Sequence, residues 1–447
     1  MIRKIFDRRT TRSSRGRRLP RALAALSIVV ATASASAQAQ TYASFDDWVA
    51  QTKVSGEFRS GLFTVDWQHI RPFQRTFSIG GWVDLQSAPV NGFSLNVSMA
   101  TAQGLGLNPS NPREALPEVP SANVTTLMQA YLEYANHGLV LRAGNQLIDT
   151  PFANASDFRM IPATFQGISA VWNDVIPGLK LSGYRMYRFK PWWASGYGRS
   201  DTGTSPFNAG QVPEVDSSGF LAFGADYTAS GLKLTAWYYD FYSRLRLTYG
   251  EANYRIPVQT QLLKAVMLGV QGVRETNAGG QVLPYQQVSS NLYGAQIGFA
   301  LPHNTIFVSY VDVPRNDGHF RAGGFVNPYL QGNYNSSPIF TDIFGMTIGS
   351  MFGVPGRGVS IKDVIKIDHL TLIPAYTNYH LMEQGVGPAG QLINGPGKIN
   401  GFMLLAMYQL TPHWKLQYSG AYKQSKSAVG RISPNFLQIV YKFDKAD

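Results

Sequence analysis

The chain has 447 residues, 39 of them basic and 27 acidic, and no cysteine. Aromatics make up 13%, while charged residues reach only 15% and mean hydropathy is -0.12. A disulfide scaffold, a cysteine metal site and a thiol nucleophile are thereby excluded, and past residue 40 no run approaches the ~18 consecutive apolar residues of a transmembrane helix.

The charge is unevenly placed. Nine basic residues and one acid fall in residues 1–21, followed by an apolar run over 22–33 and a small-residue tract over 33–39. That order predicts a secretory signal peptide over residues 1–39, cleaved after Ala39, since a dozen apolar residues are too few to span a bilayer. Its removal leaves 30 basic and 26 acidic residues, a net charge of about +4. The high pI belongs to the leader and gives no ground for a nucleic-acid partner. Residues 40–447 read as one domain.

From residue 54 onward, runs of about ten alternating residues recur, the length a tilted strand needs to cross a membrane. Phe77, Ile79, Val83 and Leu85 alternate with Thr76, Ser78, Trp82 and Asp84; Phe93, Leu95, Val97 and Met99 alternate with Ser94, Asn96 and Ser98. About eighteen such runs end at Phe443, an even number as a closed barrel requires; they are least distinct over 256–273 and 340–379. Tight turns such as Asn91-Gly92, Pro177-Gly178 and Ser230-Gly231 alternate with long polar segments at 103–124, 148–163, 191–218, 313–339 and 385–400. Short turns at one rim and long loops at the other predict an all-β transmembrane antiparallel barrel of about 18 strands in the bacterial outer membrane. Its short turns would be periplasmic and its long loops extracellular. The final run, Leu437, Ile439, Tyr441 and Phe443, resembles the terminal strand read by the barrel assembly machinery.

A cation on the lipid face near the midplane costs ~2 to 4 kcal/mol, so basic residues on strands are expected to face the lumen. If Leu245, Leu247 and Tyr249 face lipid, Arg244 and Arg246 face inward. By the same alternation Arg142, Lys415 and Lys423 are lumenal. Such a ladder of cations would concentrate anions and offer successive weak sites. The cluster Trp237-Tyr238-Tyr239 reads as interface girdle. Arg185, Arg188 and Lys190, beside Trp192-Trp193, suit a pore role or contact with lipid phosphates.

One connection stands out. Residues 148–163 are pinned by Pro151 and Pro162 and carry Asp149, Asp157 and Arg159, a length and composition that predict a functional loop rather than a passive link. The surrounding stretch, RAGNQLIDTPFANASDFRMIPATFQG over 142–167, resembles the most recognisable segment of the OprD family of substrate-selective porins. The positions that match are Gly144, Gln146, Pro151, Asp157, Arg159, Pro162, Thr164, Phe165 and Gly167, with a weaker match over 231–240. The resemblance implies an 18-strand barrel narrowed by inward-folded loops, the third above all, and lumenal Arg and Lys guiding small anionic or carboxylate-bearing solutes by passive diffusion. In this chain the loop holds one arginine, Arg159, with Asp149 and Asp157 close by, which implies a mixed field at the constriction.

Two other classes are weighed. A general diffusion porin of low selectivity shares the barrel. An outer-membrane hydrolase would need a constellation such as H-E-x-x-H or G-x-S-x-G, and none occurs. No catalytic residue, metal site or cofactor is expected. The expected partners are carboxylate-bearing solutes, outer-membrane lipid and lipopolysaccharide, and the assembly machinery, with either a monomer or a homotrimer compatible.

Overall fold

The computed structural model describes residues 42 and 44–444, apart from 68–71, 112, 117–122, 158, 200–217, 259, 279–286, 326–327, 330–336, 343–354, 383–384, 387–391, 395–396 and 426–430. The expected leader, residues 1–39, lies outside the described residues.

The alternating runs become eighteen antiparallel strands. In chain order they are β1 Lys53–Asp66, β2 Gln74–Gln86, β3 Phe93–Gln103, β4 Val124–Asn136, β5 Leu139–Gln146 and β6 Thr164–Trp172. Next come β7 Leu179–Lys190, β8 Phe220–Ala229, β9 Leu232–Phe241, β10 Leu245–Pro257, β11 Ala265–Asn277 and β12 Ser289–Ala300. The ring ends with β13 Asn304–Val313, β14 Gly356–Ile367, β15 Leu370–Leu381, β16 Gly397–Gln409, β17 Trp414–Ser425 and β18 Arg431–Asp444. Each strand pairs with its sequence neighbours, and β18 pairs with β1 from Ser55 opposite Asp444 to Asp66 opposite Ser433. Closure leaves no barrel strand with an unpaired edge, which a bilayer would not tolerate. The two regions of weakest alternation hold the end of β10 with most of β11, and β14 with most of β15.

The sense of the alternation is now visible. On β3, Phe93, Leu95, Val97 and Met99 are exposed, whereas Ser94, Asn96 and Ser98 are buried. On β18, Leu437 and Ile439 are exposed and Gln438 is buried. The apolar face is the outer one, as a lipid environment requires. A short helix, α1 Phe45–Ala50, precedes the barrel, capped by Ser44, whose Oγ accepts from Asp47 N. Trp48 Nε1 donates to Ala88 O at 3.0 Å and ties the helix to the β2–β3 turn at the periplasmic rim.

Replacing Leu437 by Arg, midway along β18 on the outer face, should lower unfolding free energy in lipid vesicles by about 2 to 4 kcal/mol. Gln438→Arg, one residue on and facing inward, should cost clearly less by the same denaturant titration. Equal losses would contradict the assigned faces.

Candidate functional site

The β5–β6 loop, residues 147–163, leaves the wall from a rigid root. Gly144 and Gly167 face each other across β5 and β6. Gly144 has φ +135°, and a Cβ there would lie 2.2 Å from Ala130 O; at Gly167 it would lie 2.2 Å from Arg185 O. No larger residue fits either place. Gln146 donates from Nε2 to Gly167 O at 3.2 Å and accepts from Ser169 Oγ at 2.7 Å, so the last amide of β5 is locked before the chain turns inward.

The loop then crosses the lumen. Asp149–Thr150 pairs with Ala153–Asn154 in a small hairpin, with Thr150 Oγ1 donating to Ala153 O at 2.6 Å. Phe152 at its tip is buried against Tyr239, Tyr249 and Phe325, with ring centroids 6.0, 5.3 and 5.9 Å apart, and its N–H donates to the Tyr239 hydroxyl at 3.2 Å. Farther along, the Asp157 carboxylate accepts two bonds from one guanidinium: Arg59 Nη1 to Oδ1 at 2.8 Å and Nη2 to Oδ2 at 3.1 Å. Arg59 also donates to Arg159 O and, from Nε, to Glu57 Oε1 at 2.6 Å, and it stacks 4.5 Å over Trp82. Tyr239 is on β9, Tyr249 on β10 and Arg59 on β1. In a ring of eighteen, β9 and β10 are eight and nine strands from β1, which is the opposite wall. The loop is therefore held at both ends of a diameter, by an aromatic socket and by a bidentate ion pair.

Other loops brace it. From the β13–β14 loop, Tyr329 packs among Phe165, Phe189, Phe220 and Phe241, and Thr341 O accepts from the Tyr379 hydroxyl at 2.6 Å. From the β7–β8 loop, Trp192 lies 4.4 Å beneath the Arg159 guanidinium.

Charge in the lumen is segregated. On β12–β17, every charged side chain at an inward-facing position among the described residues is a lysine: Lys362, Lys366, Lys415 and Lys423. Acids concentrate on the other half, at Glu57, Asp84, Glu133, Asp226 and Glu251, with Asp149 and Asp157 on the loop. Several cations of that half are already engaged. Arg142 bonds Glu133 at 2.7 Å, Lys180 meets Asp226 at 3.3 Å, and Arg59 is shared by Glu57 and Asp157. Beside the hairpin, Asp149, Lys180, Asp226, Lys233, Trp237 and Glu251 are among the residues that line a cavity of about 260 Å³. No cluster of three or more metal-ligating side chains occurs among the described residues.

The family model described as outer membrane porin, OprD family, matches residues 135–339, a span that includes the whole crossing loop and both strands of its aromatic socket. Over those residues the chain is similar to the OprD family. Among solved structures, Acinetobacter baumannii OccAB3 is similar with TM-score 0.72 at 16% identity, covering 88% of this chain and 100% of that one. Acinetobacter baumannii OccAB2 gives TM-score 0.71 at 17% identity over 89% and 99%. Pseudomonas aeruginosa OpdK, in a structure with vanillate, gives 0.66 at 14% over 88% and 99%. At such identities the likeness is one of fold. No curated protein matches the chain.

In this outer-membrane barrel the expected site residues divide. Arg142, Lys415 and Lys423 point inward, Arg142 toward Glu133. Asp149 and Asp157 are exposed on the crossing loop. Arg159 does not meet the open lumen: it is 4% exposed and sealed against Trp192. Arg244 and Arg246 require correction. Leu245, Leu247 and Tyr249 face inward, where Tyr249 packs on Phe152, so Arg246 points outward and meets Asp240 at 3.7 Å. Arg244 lies in the β9–β10 turn, buried, with its N–H on Phe241 O. The reason is that loops fill the extracellular half of the lumen, so its inner wall is apolar too, and hydrophobicity there no longer marks the lipid side. The girdle assignment fails likewise for Trp237 and Tyr239, which face inward; only Tyr238 points out. Arg59, the residue that clamps the loop, carries the same sequence signal as Lys415: Glu57, Arg59 and Gly61 alternate with Phe58, Ser60 and Leu62.

Phe152→Ala should empty the aromatic socket. The expected result is an unfolding free energy lower by about 3 kcal/mol, as for other large-to-small core changes, with larger and noisier single-channel currents in planar bilayers. Unaltered current traces would contradict a loop held by that ring.

Proposed function

We propose that this barrel is a substrate-selective channel for passive diffusion of small carboxylate-bearing or otherwise anionic solutes. The observation that carries the reading is the wall from β12 to β17, whose inward charges are all lysine, set against an acid-bearing half whose cations are in part ion-paired. In a confined channel, fixed charge of one sign raises the local concentration of its counter-ion, and spaced single charges give sites weak enough to release what they bind. Lys362 lies over the Phe307 ring at 5.6 Å, and Lys415 is within electrostatic reach of Glu57, Arg59 and Asp157 at the clamp. An anion moving along this wall thus passes one lysine beside an aromatic face and one beside the constriction. On this reading a basic ladder would run along β14 and β17 rather than β10. The presence of vanillate, a carboxylate, in the similar OpdK structure is consistent with this solute class. The loop struts narrow the route, and size as well as charge would set the selection.

Lys362→Gln with Lys415→Gln should lower the anion-to-cation permeability ratio, read as the reversal potential under a salt gradient, by roughly fivefold. Arg246→Gln, on the outer face, should leave it unchanged. An unchanged ratio in the double lysine variant would remove the lysine-wall account.

A further inference from the structure

The outer surface carries a charge pattern that transport does not use. Arg75, Arg188, Arg246, Arg274, Arg357 and Arg431 all occupy outward-facing, exposed positions, and each lies within four residues of the extracellular end of its strand. Lys398, second residue of β16, belongs to the same ring. Outward acids near that rim are fewer, among them Asp66, Asp240 and Asp312. Below that ring the outer face carries one outward cation among the described strands, Arg185 on β7, opposite the exposed Ile168 and still in the extracellular half; Trp172, Tyr254, Tyr408 and Trp414 occupy the periplasmic end instead. Chance would not sort the two rims this way, and cations on the lipid face are costly except where they reach head groups.

The densest part lies on β10 and β11. Arg246 stands opposite Thr276 and Arg274 opposite Thr248, so two guanidinium groups flank two threonine hydroxyls on one outer patch, with the diagonal arginine Cβ atoms about 7 to 8 Å apart. Each arginine is steadied from the side. Arg274 donates from Nη1 to Asn291 Oδ1 and from Nη2 to Ser289 Oγ, both at 3.2 Å, while Arg246 meets Asp240 at 3.7 Å. A guanidinium has five N–H donors, so both keep donors for a ligand. Nearby, Arg185 is sandwiched between the Tyr187 and Tyr242 rings at 4.3 and 4.6 Å. Arginine and not lysine dominates the ring, which favours phosphate, since the planar fork matches its oxygens and is shed of water more easily.

We propose that this rim, centred on Arg246 and Arg274, binds the phosphate groups of glycolipids in the extracellular leaflet. A lipid-borne phosphate fits because the patch lies on the membrane-facing surface at head-group depth, where a free solute has no route of approach. The contact would fix the height of the barrel in the membrane and seal its outer wall at the strands that carry the aromatic socket.

The test uses the purified full chain in detergent, with diphosphorylated lipid A, the same lipid dephosphorylated, and inorganic phosphate as probes. Wild type should bind lipid A in a salt-sensitive way, and R246Q/R274Q should weaken it by roughly tenfold or more. The exposed control Lys264→Gln, in the periplasmic β10–β11 turn, should bind as wild type does. Heat-modifiable gel migration confirms that each variant is a folded barrel. Undiminished lipid A binding by R246Q/R274Q would overturn the proposal, as would equal binding of the dephosphorylated lipid or equal protection by inorganic phosphate. A lipid-independent dimer lost in R246Q/R274Q would assign the patch to a second copy and overturn it equally.

Discussion

The contact between Arg59 and Asp157 is the constraint on which the lumen depends. A loop of 17 residues rooted between β5 and β6 has no intrinsic reason to lie across a barrel; it needs a fixed point on the far side. Arg59 supplies one, because its guanidinium is already oriented by Glu57 and Trp82 before the loop arrives. The arginine side chain is 7% exposed and the aspartate 42%, so the pair is buried on the wall side and open on the lumen side. A bidentate pair also fixes the carboxylate's plane, which a lysine would not. Lys442, 3.2 Å from Glu57 on β18, ties the same knot to the last strand. The seam that closes the barrel and the clamp that narrows it are thus one cluster.

At the other end the restraint is apolar. Phe152 enters a socket built by Tyr239 and Tyr249, with Trp237 stacked on Tyr239 at 5.7 Å. Burial of these rings offsets the entropy of ordering the loop, and the Tyr249 hydroxyl donates to Glu251, which lines the cavity beside the hairpin. One side chain therefore serves packing and pore electrostatics together. The result is a barrel whose extracellular half is packed like a protein interior and whose charged residues face what space remains.

Much of this was legible in the residues. Strand number, closure and loop asymmetry follow from period-two alternation and from the spacing of turns, because lipid on one side imposes a uniform rule; the loop at 148–163 was marked by its length and composition. The matching glycines Gly144 and Gly167 have a plain steric role at the loop root. What alternation could not supply is which face is inner where both faces are apolar. On β10 the runs of Leu245, Leu247 and Tyr249 look like a lipid face and are an inner one, and Arg246 is displaced to the outer surface with them. Arg159 shows a different limit: its position in the loop was visible, but its burial against Trp192 depends on a partner 33 residues away. Arg59 is 98 residues from Asp157 in the chain, and only the inward fold of the loop brings the two together.

The most direct measurement of the central claim is a conductance cycle on the clamp. Arg59→Ala, Asp157→Ala and the double variant would be compared with wild type in planar bilayers. If the two residues act as one restraint, each single change raises single-channel conductance and the double change raises it no further. Additive increases, or no change in any of the three, would contradict a loop held across the lumen by this pair.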